Sequence, residues 1–174
     1  MRPRITIAKL LFALVLIAAL VAVAAPLLPT ESKLPFAVRS LAGLDRIEVR
    51  IRPWKQVPVK VDLTATTLQA AWEGTLKRAG FKLGRGSDVP KLDLNVRVIT
   101  DSDVPDGVSV HAMLTLKQNV LVKRLDKELL LPTWTGVYTQ MTPKSEFGIE
   151  LQGMMDQLIG EFIHRTQTAT RHQK

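Results

Sequence analysis

The chain changes hydrophobic period several times, and each change marks an element. "RIEVRIRPW" sets Ile47, Val49 and Ile51 against Glu48, Arg50 and Arg52, the two-residue period of a strand with one face in water. "VPVKVDL" continues that period through Val57, Val59, Val61 and Leu63. Pro58 has no N–H to give a ladder, so this stretch belongs at a sheet edge or partly outside the sheet. From Thr64 to Ala79 the period becomes helical: Leu68, Ala71, Trp72, Thr75, Leu76 and Ala79 share one face, and Gly80 stands where a C-terminal cap belongs.

After "FKL" and the loop "GRGSDVPK", alternation returns in "LDLNVRVIT", where Leu92, Leu94, Val96 and Val98 face in. It continues in "VSVHAMLTLKQNVLVKRL" with Val108, Val110, Ala112, Leu114 and Leu116. "LDKEL" reads as a turn and "LLLPTWTGVYTQM" as a further strand. Ser145 is placed to cap a last helix running to about Arg165, whose Phe147, Leu151, Met154, Leu158 and Phe162 form one apolar stripe. Strand, helix, several strands and helix predict an α+β fold. The expected form is a two-layer sandwich with a mainly antiparallel sheet and two packed helices, covering about residues 45–165. The polar, basic stretch 166–174 has nothing to bury and is expected to be a flexible tail.

The N-terminus has a different character. Arg2, Arg4 and Lys9 precede an uncharged run from Leu10 to Leu28, which as a helix is about 28 Å long and matches a bilayer's hydrocarbon core. Residues 1–29 are therefore expected to be a transmembrane anchor with residues 10–28 in the bilayer. The flanking cations put the N-terminus in the cytoplasm and the domain in the periplasm of a bacterial inner membrane. Ala22, Val23 and Ala24 also satisfy a signal-peptidase pattern, so cleavage after Ala24 is the competing reading. In the linker, 30–44, Pro35 and Gly43 bracket a short helix whose Phe36 and Leu41 can lie on one side, resting either in the interface or on the domain.

Composition narrows the chemistry. The chain carries 24 Lys and Arg against 16 Asp and Glu, a net +8, of which three cations sit before the apolar run. The cations that follow form no stripe with interleaved aromatics, which argues against nucleic acid. The absence of Cys removes disulfides, thiolate metal sites and a thiol nucleophile.

Several short motifs invite a chemical reading. "TDSDVPDG" offers Asp101, Asp103 and Asp106, but counted from Asp101 a calcium loop would need a ligand where Pro105 stands, glycine where Asp106 stands and a carboxylate where Ala112 stands. It reads instead as a polar hairpin tip ending in Asp106-Gly107 turn chemistry, whose carboxylates, if they act at all, meet a cationic patch on a partner, with a looser cation site at Asp101, Asp103 and Asp106 as the alternative. "GRGS" lacks the following helix of a phosphate loop. Ser109 in "GVSVH" lacks the turn of a nucleophile elbow, and His111 has no triad partner in sequence. No catalytic, metal or cofactor residues are therefore assigned.

The partner-contact candidates are Trp54 with Arg52, Asp101 and Asp103, Gly153 and Gly160, and Arg171. Trp54 lies between prolines that prevent regular pairing, so its indole is either offered to a partner or folded over the sheet edge. Gly153 and Gly160 stand nearly on one side of the last helix, where a partner backbone or the domain's own sheet could approach closely.

The element order, over about residues 45–165, resembles the lipopolysaccharide-assembly and transporter-auxiliary lipoprotein families, without their lipid-modified cysteine. The single span with a small external domain also resembles accessory polypeptides of bacterial photosynthetic or respiratory membrane complexes. The span, the absence of a catalytic constellation, the offered Trp54 and the basic tail point to a non-catalytic accessory subunit docked on a larger membrane protein complex, such as a photosynthetic reaction-centre, light-harvesting or respiratory complex. The alternative is an envelope lipid or small-ligand carrier or transport-auxiliary protein.

Overall fold

The structure is a computed structural model and describes residues 34–54 and 63–173. The alternating stretches become strands β1 (Arg46–Ile51), β2 (Lys82–Leu83), β3 (Lys91–Asp101), β4 (Val104–Val122) and β5 (Lys127–Pro143). The helices are α1 (Phe36–Arg39), α2 (Ala65–Arg78) and α3 (Phe147–Arg171). The fold is α+β. The expected anchor over 10–28, its alternative cleavage after Ala24 and the expected strand over 57–62 lie outside the described residues. No helix among the described residues is long and apolar enough to cross a membrane.

Local chemistry sets the ends of α2. Thr64 Oγ1 accepts the Thr67 N–H at 3.1 Å, and Thr67 Oγ1 accepts the Thr64 N–H at 3.0 Å, a reciprocal cap. At the other end Gly80 takes φ +96, a conformation L residues rarely adopt, and releases the chain toward β2.

The sheet runs β2-β1-β3-β4-β5. β1 lies parallel to both β2 and β3, whereas β3–β4 and β4–β5 are antiparallel. The mainly antiparallel sheet expected from the sequence is thus a mixed one. The cause is the helix between β1 and the next strands: a chain that leaves one end of a strand and returns through a helix re-enters in the same direction.

Alternation delivers one face of this sheet to the helices. Ile47, Val49, Leu92, Leu94, Val96, Val108, Val110, Ala112, Leu114 and Leu116 are buried, as are Leu68, Trp72 and Leu76 of α2. The expected α3 stripe is buried throughout, joined by Met155 and Ile159. At the centre the Phe162 ring lies 5.4 Å from that of Trp134 and 6.0 Å from that of Phe81.

Three boundaries differ from the expected ones. The helix start has Glu146 rather than Ser145 at its cap, with no side-chain hydrogen bond. The segment 166–171 is not a tail but the end of α3: Thr166 and Ala169 are buried, and the Thr166 and Thr170 hydroxyls donate to carbonyls four residues back. Val38 and Leu41 belong to the core, so the linker helix packs on the domain. Its Phe36 nevertheless stays 77% exposed and does not share Leu41's side.

Candidate functional site: the uncovered face of the sheet

The same alternation that fills the core leaves the opposite face of β1, β3, β4 and β5 without a covering layer among the described residues. Its rows follow from the register: Arg50 beside Asp93, and Asp93 opposite Thr115, itself opposite Thr135. Asn95 lies opposite Met113 and Met113 opposite Val137; Arg97 lies opposite His111, and His111 opposite Thr139. Ile99, Ser109 and Met141 form the outermost row. Apolar side chains therefore sit in water here, with Ile99 57%, Val137 55% and Met141 67% exposed.

Polar groups on this face are paired in part. Asp93 Oδ2 accepts from Lys117 Nζ at 2.7 Å and Glu48 Oε1 accepts from Arg50 Nε at 2.9 Å, while Asp93 Oδ1 and Glu48 Oε2 are buried without a partner among the described residues. The hydrogen bond that Arg50 donates to Glu48 raises the Arg50 pKa above its ordinary value. His111 Nδ1 lies 2.9 Å from Thr139 Oγ1. Arg52 and Arg97 form no ion pair among the described residues, which leaves the face with an excess of positive charge.

Two shallow grooves share Arg52 and Asp93: one wraps from this face round the edge of β1 to Gln69 of α2, and the other crosses the face. One, of about 450 Å³, is lined by Arg50, Arg52, Arg85 and Gln69 with the two carboxylates. The other, of about 290 Å³, runs over Asn95, Met113, Thr115 and Lys117. Together they form an open, cationic surface with an apolar floor. Among the described residues no three His, Cys, Asp or Glu side chains are placed to hold a metal ion.

The residues singled out from the sequence fall at separate places. Arg52 lies on the uncovered face. Trp54 is half-buried and packs against the core, which matches the folded-over alternative rather than the offered indole. Asp101 and Asp103 lie at the β3–β4 tip, where Asp101 Oδ1 accepts the Asp103 N–H at 2.9 Å. The turn itself is Ser102-Asp103. Asp106 and Gly107, expected to form it, are strand residues, with Gly107 opposite Pro143 and the Asp106 carbonyl accepting Lys144 N–H at 2.9 Å. Arg171 ends α3 beside a largely apolar groove of about 290 Å³ at Leu44, Gly80 and Phe81.

Gly153 and Gly160 lie on the exposed side of α3, and a Cβ at either would meet nothing within 4 Å. The sheet therefore does not require these glycines. Alanine at each is expected to raise unfolding free energy by about 0.5–1 kcal/mol, as measured by urea denaturation. A loss of stability would contradict the open geometry.

The members of the face that the sequence reading missed are Arg97, Met113, Lys117, Val137 and Met141. Their alternation was visible, but which strands stand side by side was not.

No protein-family model matches the chain, and no curated protein matches it in sequence. Among solved structures, the crystal structure of a minor lipoprotein from Acinetobacter baumannii is similar, with 13% identity, a TM-score of 0.32, and coverage of 75% of this chain and 90% of that one.

Proposed function

We propose that the chain is a non-catalytic accessory subunit, anchored in a bacterial inner membrane by residues 10–28, whose periplasmic domain docks on a larger integral membrane protein complex. The observation that carries this reading is the uncovered sheet face, where Ile99, Met113, Val137 and Met141 lie among Arg52, Arg97 and Lys117. Exposed apolar groups rimmed by charge are what a protein interface buries, and arginine is enriched at the residues that dominate binding energy. A photosynthetic or respiratory complex would be one such partner.

The test is native mass spectrometry and co-purification of the full chain released in mild detergent. The expected result is a stoichiometric larger complex that is lost with Met113→Asp or Arg97→Glu while the circular dichroism of the chain is unchanged. A chain that runs alone sinks the reading. The groove between Arg50, Arg52 and Arg85 supports a second one, a carrier of an anionic small ligand. In the same experiment that reading requires a bound small anion in place of a protein partner, released by Arg52→Glu.

A further inference from the structure

The last strand is an edge that nothing among the described residues closes. β5 ends the sheet order, and between Glu128 and Lys144 it carries no charged residue. Natural edge strands are blunted by charge, proline, a bulge or a covering segment, because a row of free N–H and C=O groups recruits another strand. β5 has such devices only at its flanks. Pro132 and Pro143 bound the stretch, a register shift falls between Leu116 and Lys117 of the neighbouring strand, and Ser40 Oγ donates to the Thr133 carbonyl at 3.1 Å. From Thr135 to Met141, no backbone hydrogen bond comes from any described element except β4.

The sequence of that open segment has a property that selects its occupant. In "TGVYT", residues 135–139, two threonines stand at equal distances either side of Val137. In an antiparallel pair about a two-fold axis through Val137, each Thr135 faces Thr139 of the other copy and Val137 faces itself. Tyr138 faces Gly136, over which the Trp134 ring of the same chain lies. Threonine–threonine and β-branched pairs are among the favourable cross-strand neighbours, and no like charges oppose one another. A two-fold contact must be self-complementary, and an uncharged edge with threonines placed symmetrically about Val137 meets that condition.

We infer that two copies of this chain pair through β5, antiparallel and centred on Val137, joining their five-stranded sheets into one of ten strands. The uncovered faces then lie side by side on the same side of the joined sheet. Val137, 55% exposed in the single chain, is covered by its own copy at the centre. The row Met113–Val137 continues directly into Val137–Met113 of the second chain.

The absence of cysteine makes the test direct. In the full chain produced apart from any partner complex and purified in mild detergent, light scattering should give a protein mass of two chains, and Val137→Lys, which sets two ammonium groups face to face, should give one chain with an unchanged circular dichroism spectrum. Val137→Cys should form an inter-chain disulfide in high yield under mild oxidation, since directly opposite Cβ atoms lie about 4.5–5.5 Å apart. Thr135→Cys alone should not, because its counterpart in the other copy lies about 13 Å along the strand. A mixture of Thr135→Cys with Thr139→Cys should link again. A single-chain mass for the unmodified protein together with no Val137→Cys disulfide overturns the inference. So does equal linking of Thr135→Cys alone, which would place the contact in another register or at random.

Discussion

Phe162→Ala is expected to lower the unfolding free energy by about 3–5 kcal/mol, the largest loss from any single truncation of a described α3 side chain. Phe162 is fully buried, and its ring meets Trp134 from the sheet and Phe81 from the segment leading into β2. Three pieces of chain remote in sequence converge on one side chain. Removing the ring deletes transfer free energy and opens a cavity. That cavity cannot readily collapse, because Leu158, Ile159 and Thr166, on the turns either side, are themselves held in the core. Against a total stability of about 5–15 kcal/mol, the loss brings the domain close to unfolding. Urea denaturation followed by tryptophan fluorescence measures it directly, with Trp134 beside the cavity. Ile149→Ala is the control: Ile149 is 80% exposed on the same helix, and its loss is expected within about 0.5 kcal/mol. Equal effects at the two positions would refute the docking of α3 described above.

The second large effect is electrostatic. Lys117→Met is expected to cost about 1–3 kcal/mol, although exposed ion pairs of the same length contribute little. Lys117 and Asp93 meet at 2.7 Å with side chains 30% and 16% exposed, whereas Arg165 and Glu161 meet at the same 2.7 Å with both about two-fifths exposed. Distance does not separate these pairs, but desolvation does. Asp93 already has one buried oxygen without a partner, and losing Lys117 strands the other. Breaking the Arg165–Glu161 pair leaves two groups that water can reach, for a cost of about 0.3–0.5 kcal/mol. The desolvation account makes a further demand: Asp93→Leu combined with Lys117→Met should recover most of the loss, because the isolated charge is then gone. A double variant no more stable than Lys117→Met would mean that the Coulomb attraction, not the stranded carboxylate, had been lost.

Much of this fold was legible in the two periods. The inward residues of β1, β3 and β4 and the α3 stripe were all read correctly from alternation and helical spacing, because each period alone determines which side chains share a face. The direction of β1 was not, since a two-residue period is the same whether a strand's neighbour runs parallel or antiparallel. The end of α3 was missed for a different reason. "TQTATR" has a polar composition, yet Thr166 and Ala169 continue the buried side at helical spacing, and threonine hydroxyls that bond back to the helix can be buried at little cost. The uncovered face escaped a reading of single strands because it exists only as rows across four of them.

The β3–β4 tip shows why a strong local signal was overruled. A two-residue turn at Asp106-Gly107 would set Pro105 opposite Val108, and continued along the ladder that register pairs each even-numbered residue of β3 with an odd-numbered one of β4. Leu92, Leu94 and Val96 would then share their face with Met113, Thr115 and Lys117, while Ala112, Leu114 and Leu116 turned to water. The observed ladder pairs Leu92 with Leu116 and Leu94 with Leu114. Burial of the β4 leucines outweighs the preference of one dipeptide, because a one-residue slip reverses every side chain at once.

The turn that did form, Ser102-Asp103, has the same odd register, with Asp101 opposite Val104, and the irregularity between Ile99 and Asp101 converts it to the even register of the ladder. That short irregular step acts as a coupling between the tip and the sheet: it lets the loop change length or sequence without transmitting a shift to the core. It is therefore the place in this domain where an epitope or a fluorescent reporter can be inserted with the least disturbance to the ladder beneath.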